Sequence, residues 1–286
     1  MKSPPFAQAT ALTPHGEDSF VGEIPFGWSV SKGAHGGLVA ALLTRAAELV
    51  AGPDRPLRSL TTHFVRPALP GPISIEVTRE REGSRLTSLS LRMKQNGETV
   101  AAALAAGGPD RDSFQFADIP MPDVPHPEEI TPVQYIEGVM PAFMAHTDFR
   151  PVYTSNALEM NTTGEGTVGG WVRVPAGLPL EAPAVAFLSD VWWPAVFAVM
   201  DGMAGAPTID LTVHFRSPLP PANDDGTTWV LGRFRTHLVE GGHFEEDGVL
   251  WHPDGTVIAQ SRQLALVLPL LSDAFNAAKH ATSDPS

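Results

Sequence analysis

At 286 residues the chain is long enough for two domains of ordinary size, and its share of 43% hydrophobic and 18% charged residues is typical of a globular protein rather than a disordered one. A formal net charge of -13 makes nucleic acid and anionic membrane poor partners. With no cysteine, the chain has no disulfide framework, thiol nucleophile or cysteine-based zinc site.

The first residues, MKSPPFAQATALTPHGEDSF, carry proline and acid where a secretory signal would need an unbroken apolar stretch. Later apolar runs are interrupted by charge or are too short to cross a bilayer. The sequence therefore predicts a soluble, cytoplasmic protein.

The first half reads as one hydrophobic helix followed by strands. HGGLVAALLTRAAELV begins with glycines and then places apolar residues near helical spacing. The strand word LTTHFVRPALP follows, then alternating runs and an Asn96-Gly97 turn that is typical of a hairpin. This half is expected to end in an antiparallel meander.

A stretch with six prolines, GPDRDSFQFADIPMPDVPHPEEITPVQ, suits a linker that crosses the surface. It divides the chain into a predicted N-terminal unit at 1–108, a linker at 109–135 and a C-terminal unit at 136–286.

The second half repeats the same order of elements. It opens with a predicted hairpin whose turn, TGEGTVGG, lacks the Lys-Ser or Lys-Thr of a phosphate loop. AFLSDVWWPAVFAVM is predicted to form a helix that starts near Asp190, and LTVHFRSPLPP repeats the strand word. An Asp254-Gly255 turn lies in the closing meander. The pattern indicates an α+β fold in which two antiparallel sheets join edge to edge.

The repeated helix, the repeated strand word and the closing segment DGTVIAQSRQ resemble the double-hotdog acyl-CoA thioesterases of the type II class. The resemblance implies two fused hotdog units, each a sheet wrapped around a long hydrophobic helix, and hydrolysis of acyl-CoA thioesters without a metal or organic cofactor. The family's catalytic aspartate, threonine and glutamine fall on Asp190, Thr208 and Gln263. They would position and deprotonate a water.

The first copy lacks these polar residues. Leu57 stands three residues before its strand word where the second copy has Thr208, and Ala105 stands eight residues past the turn glycine where the second copy has Gln263. At the helix, Gly36 and Gly37 are taken as the counterparts of Ser189 and Asp190. Only the second copy therefore offers the catalytic set.

Each candidate also has a structural interpretation. Asp190 could cap its helix, and Asp210, expected on the same strand face as Thr208, is a second choice for an acid or base. His63 and His214 occur in both copies, which favours a role in packing between the sheets. The predicted substrate-binding residues are Gly36 and Gly37, whose backbone N–H groups could hold an oxyanion, together with His35, Trp192 and Arg216.

Two other functions stay open: a non-catalytic acyl-CoA binding protein, and a hotdog hydratase or dehydratase. Hydration would need a histidine five residues beyond Asp190, where Ala195 stands. No motif with metal-ligand spacing and no nucleophile elbow is present. The expected partners are an acyl-CoA substrate and a second copy of the chain in a homodimer.

Overall fold

The computed structural model describes residues 4–30, 33–153, 165–173, 179–200, 204–222 and 224–269. Within these ranges the α-helices are α1 Phe6–Ala9, α2 Gly36–Ala51 and α3 Ala182–Leu188, and short 3-10 turns lie at Pro127–Glu129, Ala142–His146 and Ala195–Ala198. The strands of the first half and its N-terminal approach are β1 Thr13–Pro14, β2 Ser19–Ile24, β3 Ser29–Val30, β4 Gly33–Ala34, β5 Leu57–Phe64, β6 Gly71–Glu82, β7 Thr87–Gln95 and β8 Glu98–Gly107. Those of the second half are β9 Asp148–Pro151, β10 Thr167–Arg173, β11 Ala204–Gly205, β12 Thr208–Phe215, β13 Val230–Arg235, β14 Val239–Glu240, β15 His243–Trp251, β16 Val257–Leu266 and β17 Leu268–Pro269.

Thirteen strands of the described residues form one antiparallel sheet in the order β1-β2-β6-β7-β8-β5-β12-β16-β15-β13-β10-β9, with β14 beside β15. The two halves meet where β5 pairs with β12. These strands contain the repeated sequences LTTHF and LTVHF. Thr61 lies opposite Thr212, its counterpart 151 residues later, and their hydroxyl oxygens are 3.0 Å apart. A pseudo-twofold axis therefore passes between these two threonines, and the predicted edge-to-edge joining is observed.

The helix α2 is the buried centre of the first half. Most of its leucine, valine and alanine side chains are buried, although Leu49 is exposed, and it packs against α3 and against β5 to β8. Burial of an apolar helix surface against a sheet is the main source of stability for such an arrangement. The predicted long helix of the first half is thus present.

The predicted helix that starts near Asp190 is wrong. The helix α3 precedes this residue, with Pro183 in its first turn, and ends at Leu188. Pro194 disfavours helical backbone at Trp193 and opens the 3-10 turn that follows. Asp190 consequently lies just past a helix C-terminus and cannot act as an N-cap.

The predicted meanders are present as β6 to β8 and as β13, β15 and β16. The strands β9 and β10 pair antiparallel as the predicted opening hairpin requires, but residues 167–170 of the predicted turn TGEGTVGG lie in β10 instead of a turn. Residues 154–164 lie outside the described residues. The linker crosses the outer face of the second half, where Pro125 and Ile119 accept hydrogen bonds from the indole N–H groups of Trp171 and Trp251.

Candidate active site

Asp190 lies between the end of α3 and the start of α2, because the two helices pack side by side in opposite directions. Its carboxylate accepts a hydrogen bond from the Gly37 backbone N–H, in the first turn of α2. Burial raises the pKa of Asp190 from 3.8 to about 7, and the Gly37 hydrogen bond opposes this rise. The carboxyl group is therefore poised to exchange a proton near neutral pH, next to the positive end of a helix dipole.

The two glycines at the start of α2 allow this close approach. A Cβ atom on Gly36 would lie 2.8 Å from the Asp190 Oδ2 atom, and one on Gly37 would lie 2.7 Å from the Phe187 carbonyl oxygen. Both distances are shorter than any tolerable contact, so side chains here would push the two helix ends apart. The Gly37 N–H, predicted as an oxyanion donor, is engaged by Asp190.

His35, the residue before α2, is buried and contacts the same region. Its Nε2 atom is 2.9 Å from the Asp190 carbonyl oxygen and 3.7 Å from the carboxylate. Burial lowers the pKa of His35 to about 3, against the hydrogen bond to Asp190, and the ring is therefore neutral near pH 7. A neutral ring with Nε2 protonated donates to that carbonyl and stacks on Phe143.

Thr208 and Gln263 are brought together across β12 and β16. The Thr208 hydroxyl donates to the Gln263 Oε1 atom over 2.9 Å. A β-bulge between Thr208 and Asp210 makes this possible, since Gln263 lies opposite Leu211, on the inner face of the sheet. The bulge turns Thr208 toward that inner face.

The bulge also shows that the predicted common face of Thr208 and Asp210 is wrong. Asp210 pairs with Leu264 and with His63, whose side chains point to the outer face of the sheet. His63 and His214 are themselves exposed, so neither packs between two sheets. The second-choice acid thus faces away from Gln263.

Glu246 completes a polar network that the sequence analysis missed. Its Oε1 atom accepts from the Gln263 Nε2 atom over 2.6 Å, and its Oε2 atom accepts from the Ala195 N–H over 2.5 Å. Burial raises the pKa of Glu246 to about 7, the two hydrogen bonds lower it, and the nearby charge of Asp190 raises it. Glu246 therefore links Gln263 to the backbone N–H of Ala195, in the turn that follows Asp190.

A signal for Glu246 was present in the sequence. The inward positions of β15 are taken by Phe244, Glu246, Gly248 and Leu250, which makes Glu246 the one ionisable side chain on the apolar face of that strand. A charge at such a position is costly unless it is hydrogen-bonded. It therefore marks a site.

The pairing register extends the comparison between the two copies. Ala105 lies opposite Leu60 as Gln263 lies opposite Leu211, so Ala105 and Gln263 are structural counterparts. Ala105 pairs on its other side with Leu89, where Gln263 pairs with Glu246. The polar set of the second half is apolar in the first.

The predicted counterparts of Ser189 and Asp190 are wrong. The residue before α2, His35, contacts Asp190 beyond the end of α3, and the residue before α3, Glu181, forms an ion pair with Arg45 on α2. This reciprocal arrangement makes the two helix starts equivalent. Gly36 therefore corresponds to Ala182, because each helix begins at that residue.

The two remaining predicted substrate-binding residues have different surroundings. Trp192 is buried in the core, edge-on to Phe149 at 5.2 Å between ring centroids. Arg216 is exposed just past the far end of β12, eight positions from Thr208, or roughly 26 Å at the usual strand rise. The structure does not bring Arg216 to the network around Gln263.

In the described part of the chain no group of three histidine, cysteine, aspartate or glutamate residues is arranged to hold a metal ion. None of the described helices is both long and apolar enough to span a membrane. A cavity of about 610 Å³ lies beside β13 and β14, lined by Arg235 and Val239 among others, but not by Asp190, Thr208 or Gln263.

One antiparallel sheet whose two halves join through β5 and β12, with α2 packed on the first half and the short α3 packed beside α2, defines a double-hotdog protein with a polar network in the second half. The family comparisons agree. Residues 122–267 match the model of the acyl-CoA thioesterase C-terminal domain, and residues 24–107 match that of the acyl-CoA thioesterase N-terminal domain. The chain belongs to the acyl-CoA thioesterase family, as its sequence resemblance implied.

Relatives with the same architecture span nearly the whole chain. A hot dog fold protein of unknown function from Alicyclobacillus acidocaldarius is 29% identical, with a TM-score of 0.82 over 92% of this chain and 97% of its own. A proposed thioesterase II from Thermobifida fusca is 26% identical, with a TM-score of 0.78 over 92% and 97%. An uncharacterised protein of Mycobacterium tuberculosis is 28% identical over 92% of this chain and 98% of its length.

Proposed function

We propose that this protein hydrolyses acyl-CoA thioesters to a free acid and coenzyme A, and that Asp190, Thr208 and Gln263 carry out the reaction in the second half. The observation that carries the proposal is the setting of Asp190. Its carboxyl group is buried at the start of α2, with a pKa near 7 that suits a general base. Membership of the thioesterase family supports the choice of substrate.

A thioester carbonyl is already activated, so a water that a carboxylate deprotonates can attack it without a covalent enzyme intermediate. Asp190 accepts one proton of this water as the C–O bond forms. Thr208 donates its own proton to Gln263, so its oxygen is left as an acceptor for the other proton of the water. The Gln263 amide has a second N–H to donate to the water oxygen.

Attack places negative charge on the thioester oxygen, which N–H groups at a helix start can stabilise. Since the Gly37 N–H is engaged by Asp190, we assign this role to the Gly36 N–H, the first of α2. Collapse of the tetrahedral intermediate breaks the C–S bond. The thiolate of coenzyme A leaves and takes up a proton from Asp190 or solvent.

The experiment is a panel of short-, medium- and long-chain acyl-CoAs, with thiol release followed by a chromogenic thiol reagent. Turnover that is lost in Asp190→Asn supports the proposal. Binding of acyl-CoA without thiol release would replace it with a non-catalytic binding protein.

A hydratase is tested in the same panel, because His35 lies only 3.7 Å from the Asp190 carboxylate, although it comes from the other half of the chain. Addition of water to a 2-enoyl-CoA, seen as loss of the absorbance of the conjugated thioester, would favour hydration. We expect no such loss, since the buried neutral ring has its Nε2 atom engaged by the Asp190 carbonyl.

Two properties of the native enzyme belong to the proposal as well. We propose a homodimer of the double-hotdog chain, which light scattering at several concentrations would test. We also propose a cytoplasmic location, which fractionation of the source cells would test.

A further inference from the structure

We propose that Glu246 is a positioning residue that fixes the amide orientation of Gln263, and thereby makes the Thr208 oxygen an acceptor toward the attacking water. This inference rests on the proposed thioester hydrolysis. Glu246 touches neither the thioester nor the water in this scheme, and acts through Gln263.

The Gln263 amide has two chemically different ends. Gln263 offers one carbonyl oxygen and one NH₂ group, and either could face β15 or Thr208. A carboxylate can only accept, so an ionised Glu246 requires the NH₂ group on its side, where Nε2 lies 2.6 Å from Oε1. The Gln263 oxygen must then face Thr208, and the Thr208 hydroxyl must donate to it.

The second oxygen of Glu246 is also used. It accepts from the Ala195 N–H at the start of the 3-10 turn that follows Asp190. Glu246 is only 4% exposed. Because both carboxylate oxygens are hydrogen-bonded, its side chain cannot rotate without breaking one of these bonds. A buried carboxylate held in this way sets the orientation of the neighbouring Gln263 amide.

Replacement by glutamine removes this constraint while keeping the shape. In Glu246→Gln the new amide oxygen can still accept from the Ala195 N–H, and its NH₂ group then faces Gln263. The Gln263 amide must flip to present its oxygen, and its NH₂ group must donate to Thr208. Every buried group stays satisfied, but the Thr208 hydroxyl is released to donate toward the water instead of accepting from it.

The register of the first half supports a role in chemistry over one in folding. Leu89 occupies the position of Glu246 there, beside Ala105 in place of Gln263. The same strand pairing therefore forms without a carboxylate. The acid is found only in the half that also has Thr208 and Gln263.

The test measures kcat and KM for an acyl-CoA that the native enzyme hydrolyses, together with thermal melting. We expect Glu246→Gln to lower kcat by about tenfold, the upper end of the usual effect of losing one neutral hydrogen bond, here the one from the water to the Thr208 oxygen. KM should change by less than about threefold, because the flip alters the water and not the acyl-CoA contacts. The melting temperature should stay close to that of the native protein.

A double-mutant cycle decides whether Glu246 acts through Gln263. In a Gln263→Ala background, adding Glu246→Gln should change kcat by less than about twofold, since no amide is left to orient. The matched control is Glu48→Gln, which neutralises another largely buried carboxyl whose pKa burial raises to about 7, outside this network. It should leave kcat unchanged.

Each result bears on the proposal. A native kcat in Glu246→Gln, or effects that multiply in the double variant, overturns the positioning role and leaves the proposed hydrolysis standing. A native protein that releases no thiol overturns both. If Glu246→Gln does not fold, Glu246→Leu, the residue of the first half, replaces it, with the same expected loss of kcat and the same lack of effect in the Gln263→Ala background.

Discussion

Replacing Asp190 with asparagine should make the protein more stable at alkaline pH while removing its activity. The unfolded carboxyl loses its proton near pH 3.8, whereas burial raises the pKa of the folded group to about 7. Between these values the folded state binds more protons than the unfolded state, so the free energy of unfolding falls as pH rises. The loss is complete above the folded pKa.

The size of the effect follows from the difference between the pKa of 3.8 in the unfolded chain and the pKa of about 7 for folded Asp190. A difference of one in pKa is equivalent to about 1.4 kcal/mol. The difference in unfolding free energy between Asp190→Asn and the native protein should therefore move in favour of the variant by about 4 kcal/mol from pH 3 to pH 8 or above. Asparagine has no proton to lose, and its oxygen can still accept from the Gly37 N–H.

The assay is urea unfolding of both proteins at a series of pH values, together with acyl-CoA turnover. General base catalysis contributes roughly a hundredfold to ten-thousandfold, so kcat should fall by that factor in the variant. The native kcat/KM should rise as pH increases through about 7, since only the ionised group is a base. A stability difference that moves the other way, or native turnover in Asp190→Asn, would refute this account of the site.

Three further changes test the surrounding geometry. Thr208→Val should lower kcat roughly tenfold, because it removes the hydroxyl that donates to Gln263. Thr212→Val makes the same change on the outer face of the sheet and should leave kcat unchanged in the same assay. Gly36→Ala should lower kcat/KM, because its Cβ atom would lie 2.8 Å from the Asp190 carboxylate. Unchanged kinetics would show that the start of α2 can shift to accommodate the methyl group. In His35→Gln the free energy of unfolding should fall less steeply below pH 6.5. Burial lowers the pKa of native His35 to about 3, so the native protein loses stability as pH falls from 6.5 toward 3. Circular dichroism during acid titration measures this difference.

The sequence predicted the two antiparallel meanders correctly because their signals are local. Alternating runs with Asn96-Gly97 and Asp254-Gly255 turns can form only antiparallel meanders, and both meanders are present. The repeated strand word identified β5 and β12 as equivalents. A repeat of elements in the same order was enough to predict two fused units.

Local signals failed where a single residue shifts the backbone. The bulge at Thr208 adds one residue to β12, and simple alternation therefore assigned Thr208 to the face of Asp210. The apolar stretch around Asp190 has the composition of a helix, yet Pro194 ends any helix before Trp193. Both errors concern the site, where the backbone departs from regular geometry.

The contact between His35 and Asp190 lay beyond sequence reasoning for a different reason. It joins residues 155 positions apart, from opposite halves of the chain, and depends on two helices packing in opposite directions. No spacing rule reports such a pair. The same packing places the start of α2, from the first half, against the Asp190 carboxylate of the second half.

Fusion of two hotdog units explains how one half can specialise. The pseudo-twofold axis at Thr61 and Thr212 would give a symmetric dimer two equivalent sites, one at each helix start. In the fused chain the first half supplies α2 and its glycines to the site, while its own counterparts of Gln263 and Glu246 are Ala105 and Leu89. Once both halves lie on one chain, buried polar groups are needed at only one site, and apolar residues at the other avoid the cost of burying a second pair of carboxylates.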